Sequence, residues 1–248
     1  MPGKNKKVLI VLGHPEPNSY NAALAATAVE TLEAMGHEAR ITNLYAKDLD
    51  ARVTRADFTE ARNPDFFAVM REQANAFKKD AFVPAVQAEI ELLQWCDGLI
   101  LQYPIWWFGM PAILKGYMDR IFVPGVAYGR GKWYEIGPLA GKRALVSCTA
   151  DCGIEAYSPR GRYGDLSVLL WPIHQALRFT GFDVLAPAFT GHVSDGDEAR
   201  AAGLAAHAER LKGFATDAPM DFHTEDDYAD TYTLKPGVKG KTIGQWGE

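Results

Sequence analysis

The sequence predicts a doubly wound α/β domain around a five-stranded parallel sheet, with an extended C-terminal tail. Three observations predict it. Residues 7–13 (KVLIVLG) form a continuous apolar run closed by glycine, the pattern of a central parallel strand covered on both faces. Strand-like runs then alternate with helical patterns along the chain, which implies right-handed crossovers and a 2-1-3-4-5 strand order. Finally, three adjacent aromatics, Trp106, Trp107 and Phe108, sit between Pro104 and Pro111. They follow the apolar run at residues 98–103 and precede a helical pattern at 112–122. In such a sheet, loops after the strands carry the ligand. Aromatics there either make a wall for a planar, stacked molecule or cap the core.

The elements follow in order. Ser19 or Asn18 caps a first helix that runs to about Met35 and closes at Gly36. Residues 38–44 alternate like an outer strand. Residues 48–84 are polar and long for a connection, with amphipathic pieces at 66–70 and 74–77. A loop of that length has a job or packs on a partner. A helix at 85–95 leads into the third strand. After a turn at 137–142, residues 143–149 (RALVSCT) read as the fourth strand. A helix over 164–180 contains Pro172, which kinks it or lies near its start. A fifth strand at 183–189 and an alanine-rich helix at 195–214 complete the domain, residues 1–216. Residues 217–248 have no helical period and read as an extended tail that must lie on something to be ordered.

Composition narrows the function. The 248 residues carry a net charge of −5, which argues against a nucleic-acid partner. Three cysteines, with Cys148 and Cys152 spaced C-x3-C, fit neither a zinc site nor the usual redox motif. Reduced thiols in a cytoplasmic protein are the expectation. The uncharged stretch 98–114 holds two prolines and splits into strand, loop and helix, so no membrane insertion is expected. Residues 8–12 are too short for a signal segment.

The first loop, Gly13-His14-Pro15-Glu16-Pro17-Asn18-Ser19-Tyr20-Asn21, joins the central strand to a helix N-terminus. Free N–H groups there suit an anion. Neither G-x-G-x-x-G nor a Walker lysine is present. His14 is either a ligand contact or a structural loop residue.

Taken together, H-P-x-x-x-S-[FY]-N after the first strand and P-x-x-W-F-G-x-P-A-x-L-K-G-[WY]-x-[DE]-R-[IV]-F after the third form a recognisable set. A-Y, G-P-L, A-Y-S, L-L-W-P and L-R-F-x-G-F follow. The set resembles the NAD(P)H:quinone oxidoreductases, flavodoxin-like in fold. The likeness runs from about Lys7 to Leu211. The long 48–84 segment is similar to that of the larger, FAD-binding members.

The resemblance implies a homodimer with FAD at the subunit interface (FMN being the second candidate). It implies NAD(P)H as donor, and a quinone or related flat aromatic as acceptor, taking turns in one slot. His14, Asn18, Ser19, Tyr20 and Asn21 match positions that hold the diphosphate. Pro104, Ile105, Trp107 and Phe108 match the loop beside the flavin ring. Asp119 and Arg200 match positions at the adenosine. Tyr128, and Phe179 in the L-R-F motif, match the substrate cover given by the partner subunit. Tyr157 matches a tyrosine aimed at the flavin pyrimidine edge. The N–H groups of Thr149, Ala150, Asp151, Cys152 and Gly153, with Tyr157 and Tyr163, are candidates for stabilising charge there.

Three departures stand out. The family's T-T-G-G loop is here Thr149-Ala150-Asp151-Cys152, with Gly153 one place later. Tyr163 replaces a histidine, so it hydrogen-bonds without becoming cationic. Arg130 replaces a second covering tyrosine. Cys152 is either a redox thiol or a plain small residue. Arg130 and Lys132 either take a 2′-phosphate or form a solvated pair. A rival reading is a redox-sensing flavoprotein subunit of a potassium-efflux-type membrane system.

Overall fold

The structure is a computed structural model that describes residues 5–242. Strands β1 (Lys7–Leu12), β2 (Glu38–Asn43), β3 (Gly98–Pro104), β4 (Arg143–Thr149), β5 (Asp183–Val184) and β6 (Ala188–Thr190) form one parallel sheet. Its order is β2-β1-β3-β4-β5, with β6 also on β4. Helices α1 (Tyr20–Ala34), α2 (Val69–Lys79), α3 (Pro84–Trp95), α4 (Ala112–Ile121), α5 (Leu166–Phe179) and α6 (Asp197–Lys212) cover it.

The apolar run of β1 serves both faces. Leu9 and Val11 pack toward α3, α4 and α5, whereas Val8, Ile10 and Leu12 pack toward α1 and α6. Full burial of each such side chain stabilises the fold by about 1.5–3 kcal/mol. That two-sided demand explains why β1 and β3 are apolar almost without interruption.

Ser19 caps α1 by accepting the Ala22 N–H at 3.1 Å. Pro172 falls inside α5, and the helix continues past it. The fifth strand is not continuous. Pro187 has no N–H to give to the sheet. Arg143 pairs with Asp183 but Ser147 with Ala188, so the edge bulges by one residue.

The long excursion before α3 packs on its own chain. Asp57 makes a buried ion pair with Arg120 of α4 at 2.8 Å. The Arg120 guanidinium also donates to the Asp50 carbonyl at 2.8 Å. Gly116 allows this approach, since a Cβ there would lie 2.2 Å from the Ala51 carbonyl oxygen.

The tail likewise begins on its own domain. The Met220 N–H donates to the Val184 carbonyl at 2.8 Å. Phe222 is buried near Trp171 and His223 is buried beside Asp227. These contacts hold the start of the tail, through residue 223, against its own domain. The final residues, 243–248, lie outside the described range. Among the described residues no helix is long and apolar enough to cross a membrane.

Candidate active site

The carboxyl ends of β1, β3 and β4 converge, and each carries a loop with predicted residues. The order reverses between β1 and β3, where open sheets leave a crevice. His14 and Trp106 meet across that point with ring centroids 6.0 Å apart. His14 Nδ1 accepts the Glu16 N–H at 3.1 Å, so the neutral ring carries its proton on Nε2.

The tryptophan loop is a tight reversal. Trp106 and Gly109 exchange backbone hydrogen bonds at 3.0 and 3.1 Å. Between them Trp107 and Phe108 both have left-handed backbone, with φ of 50° and 60°. Each costs about 1–2 kcal/mol for a residue with a Cβ. The outcome is an indole 97% exposed and a phenyl ring 54% exposed. Folding alone gives no reason to hold a tryptophan in water on strained backbone.

Beyond β4, Phe108 meets Tyr163 edge-on at 5.8 Å, and Tyr163 meets Tyr157 at 5.3 Å. Tyr163 also lies 3.9 Å from the Cys152 sulfur. Tyr157 is buried against Phe189. Burial, with smaller contributions from Cys152, Tyr163 and Cys148, pushes its hydroxyl above the usual tyrosine value. It is therefore a neutral hydrogen-bonding group near pH 7.

The loop donors divide. The Ala150 N–H is occupied by the Thr190 carbonyl at 3.1 Å. Thr149 Oγ1 accepts from Asn21 at 3.0 Å, and its carbonyl accepts the Ile105 N–H at 2.9 Å. The Ala150 N–H is thus engaged by the framework rather than free for a ligand, and Thr149 is tied to the framework through its hydroxyl and carbonyl. Among the described residues, the N–H groups of Asp151, Cys152 and Gly153 have no acceptor. Gly153 is confined: a Cβ would come 2.4 Å from Glu155 Oε2 and 2.5 Å from His192 Nε2.

The first loop divides in the same way. Asn18 is exposed, with its N–H held by Glu16 Oε1 at 2.8 Å. The side chains of Tyr20 and Asn21 lie behind the loop. The Tyr20 hydroxyl donates to the Arg200 carbonyl at 2.7 Å. Asn21 Oδ1 accepts from Gln102 at 2.9 Å. What these two residues offer a ligand is their backbone N–H, at the first turn of α1.

Tyr128 and Phe179 pack together at 5.9 Å and line a separate groove of about 620 Å³ with Asp119, Met70, Met118 and Phe122. Neither Trp107 nor Phe108 lines it. Asp119 pairs with Lys115 at 2.5 Å. Arg200 lies on the opposite face of the sheet, 5.2 Å from the Tyr20 ring. Within one chain the structure does not bring Asp119 and Arg200 together. Arg130 is exposed.

Sequence reading placed Trp106 in the aromatic wall without giving it a contact, and it missed Gln102 and Phe189. Gln102 was findable, since it is the one amide in an otherwise apolar run, GLILQY.

A family profile described as flavodoxin-like fold matches residues 6–214. The mouse ribosyldihydronicotinamide dehydrogenase [quinone] is 41% identical over 87% of this chain and 94% of its own length. The guinea pig NAD(P)H dehydrogenase [quinone] 1 is 37% identical over 88% of this chain and 80% of its own. A crystal structure from Klebsiella pneumoniae, provisionally assigned as a quinone reductase, superposes with a TM-score of 0.89. It shares 35% identity, and the match covers 98% of each chain. The chain belongs to the NAD(P)H:quinone oxidoreductase family of the flavodoxin-like fold.

Proposed function

We propose that this protein is a flavin-dependent reductase that carries two electrons from NAD(P)H to quinones or related flat electrophiles. The observation that carries the reading is the exposed Trp107–Phe108 pair, held on left-handed backbone beside Tyr163 and Tyr157.

FAD is the cofactor of this reading, with FMN second. The residues suit it. The N–H groups of Tyr20 and Asn21 face an anion at the helix start. Those of Asp151, Cys152 and Gly153, with the neutral Tyr157 hydroxyl, suit a ring edge that gains negative charge. Bound flavin would supply the hydride chemistry. The chain positions the donor and the acceptor in turn against Trp107 and Phe108, and excludes water there. Alternate use of one slot gives ping-pong kinetics.

A homodimer completes the site in this proposal. Asp119 and Arg200, on opposite faces, reach one adenosine only if two copies share it. The groove lined by Tyr128 and Phe179 then covers the partner's acceptor. Three free thiols suit the cytoplasm. The relatives named above are described as dehydrogenases, and nothing in the structure favours the potassium-efflux subunit.

The test is steady-state turnover by the purified protein. NAD(P)H oxidation should start only when a quinone is added, with parallel double-reciprocal lines. Intersecting lines would remove the shared slot; no quinone-dependent oxidation would remove the activity.

A further inference from the structure

Beyond Phe179, on the side away from the Tyr128 groove, lies a second cavity of about 790 Å³. Five of its lining residues are aromatic: Trp133, Tyr134, Trp171, Tyr228 and Tyr232. Trp133 stacks on Phe179 with planes 12° apart, so one indole face is covered. Tyr232 is 83% exposed and has left-handed backbone at φ 61°. The turn is closed by hydrogen bonds between Ala229, Tyr232 and Thr233. As with Trp107, folding supplies no reason for a bulky ring in that position.

The charge of the lining is one-sided. Glu225 and Asp230 line the cavity, and among the described residues no lysine, arginine or histidine does. Arg178 lies over the Tyr134 ring at 5.3 Å, is hydrogen-bonded to Glu135 and the His223 carbonyl, and also feels the charge of Glu225. Lys235 is turned to the Asp226 carbonyl at 2.7 Å. Aromatic faces carry negative potential, and the Asp230 carboxylate adds to it, whereas Glu225 shares the field of Arg178. That combination selects a cation whose charge is spread over carbon. A metal ion would find no ligand set, since the described residues hold no cluster able to bind one.

We propose that this aromatic, acidic cavity is a binding site for a small quaternary ammonium cation. It is independent of the flavin reading, because none of its lining residues belongs to the strand-end crevice.

The test is calorimetric titration of the full-chain protein with choline, against 3,3-dimethylbutan-1-ol as the neutral molecule of the same shape. Choline should bind saturably and at least about tenfold more tightly than the alcohol. Tyr232→Ala, at an exposed position, should weaken choline about tenfold while leaving quinone-dependent NAD(P)H oxidation unchanged. Asp230→Asn should reduce the preference of choline over the alcohol. Equal binding of the two ligands, no binding of either, or undiminished choline binding by both variants would overturn the proposal.

Discussion

The Asn21 side-chain amide donates to Thr149 Oγ1 at 3.0 Å, and this bond ties the start of α1 to the last residue of β4. Gln102 extends the tie to β3 by donating to Asn21 Oδ1 at 2.9 Å. All three residues are buried, so water cannot replace a lost partner. Asn21→Leu should destabilise the protein by about 1–3 kcal/mol for each group left unpaired. Urea denaturation would measure it; an unchanged midpoint would mean that the network does not hold the loops.

Trp107 separates stability from binding. Its side chain is exposed and its backbone is left-handed. Trp107→Gly should therefore relieve strain and raise stability by about 0.5–1 kcal/mol, after allowing for the entropy of glycine. The same change should raise KM for the acceptor about tenfold, the loss of a stacking surface. Thermal melts and acceptor titrations together test this. A destabilised variant with unaltered KM would make Trp107 structural.

The Arg120–Asp57 pair anchors the long excursion to α4. Removing one partner leaves the other charged and buried. Asp57→Ala should cost about 3–5 kcal/mol. Because the excursion carries Val69 and Met70 into the Tyr128 groove, the loss should also weaken the proposed homodimer, read by sedimentation.

Acid should destabilise the fold through two histidines. Burial lowers His174 and, with help from Arg210, His207 to about 4 from an ordinary value of 6.5. Between those values the unfolded chain binds more protons than the folded one, so stability rises with pH through that window. It is full above about 6.5 and is lost as pH falls toward 4, by at most about 3 kcal/mol for each histidine. His174→Gln should flatten this slope in denaturation curves taken from pH 7 to pH 4. An identical slope in wild type and variant would exclude His174 as a source.

The parts of this molecule legible in the sequence are those where one physical signal dominates. KVLIVLG and GLILQY announce central strands because burial on both faces leaves little alternative. The strand-end position of Trp107 was equally legible, and the helix cap was narrowed to Ser19 or Asn18, of which Ser19 serves. The break at Pro187 was not, since a short apolar run hides a bulge. Nor was the bond from the Ala150 N–H to Thr190. Whether a loop N–H faces a ligand or a neighbouring carbonyl depends on β6, a partner distant in the chain. Tyr20 and Asn21 are similar: sequence places them at an anion-facing turn, but only packing shows their side chains turned inward.

Chromatographic identification of the small molecule released from the purified protein by heat tests the central claim most directly. The account predicts FAD, close to one per chain, with absorbance bleached by NAD(P)H and restored by a quinone. A colourless protein that takes up neither FAD nor FMN when they are supplied would contradict it.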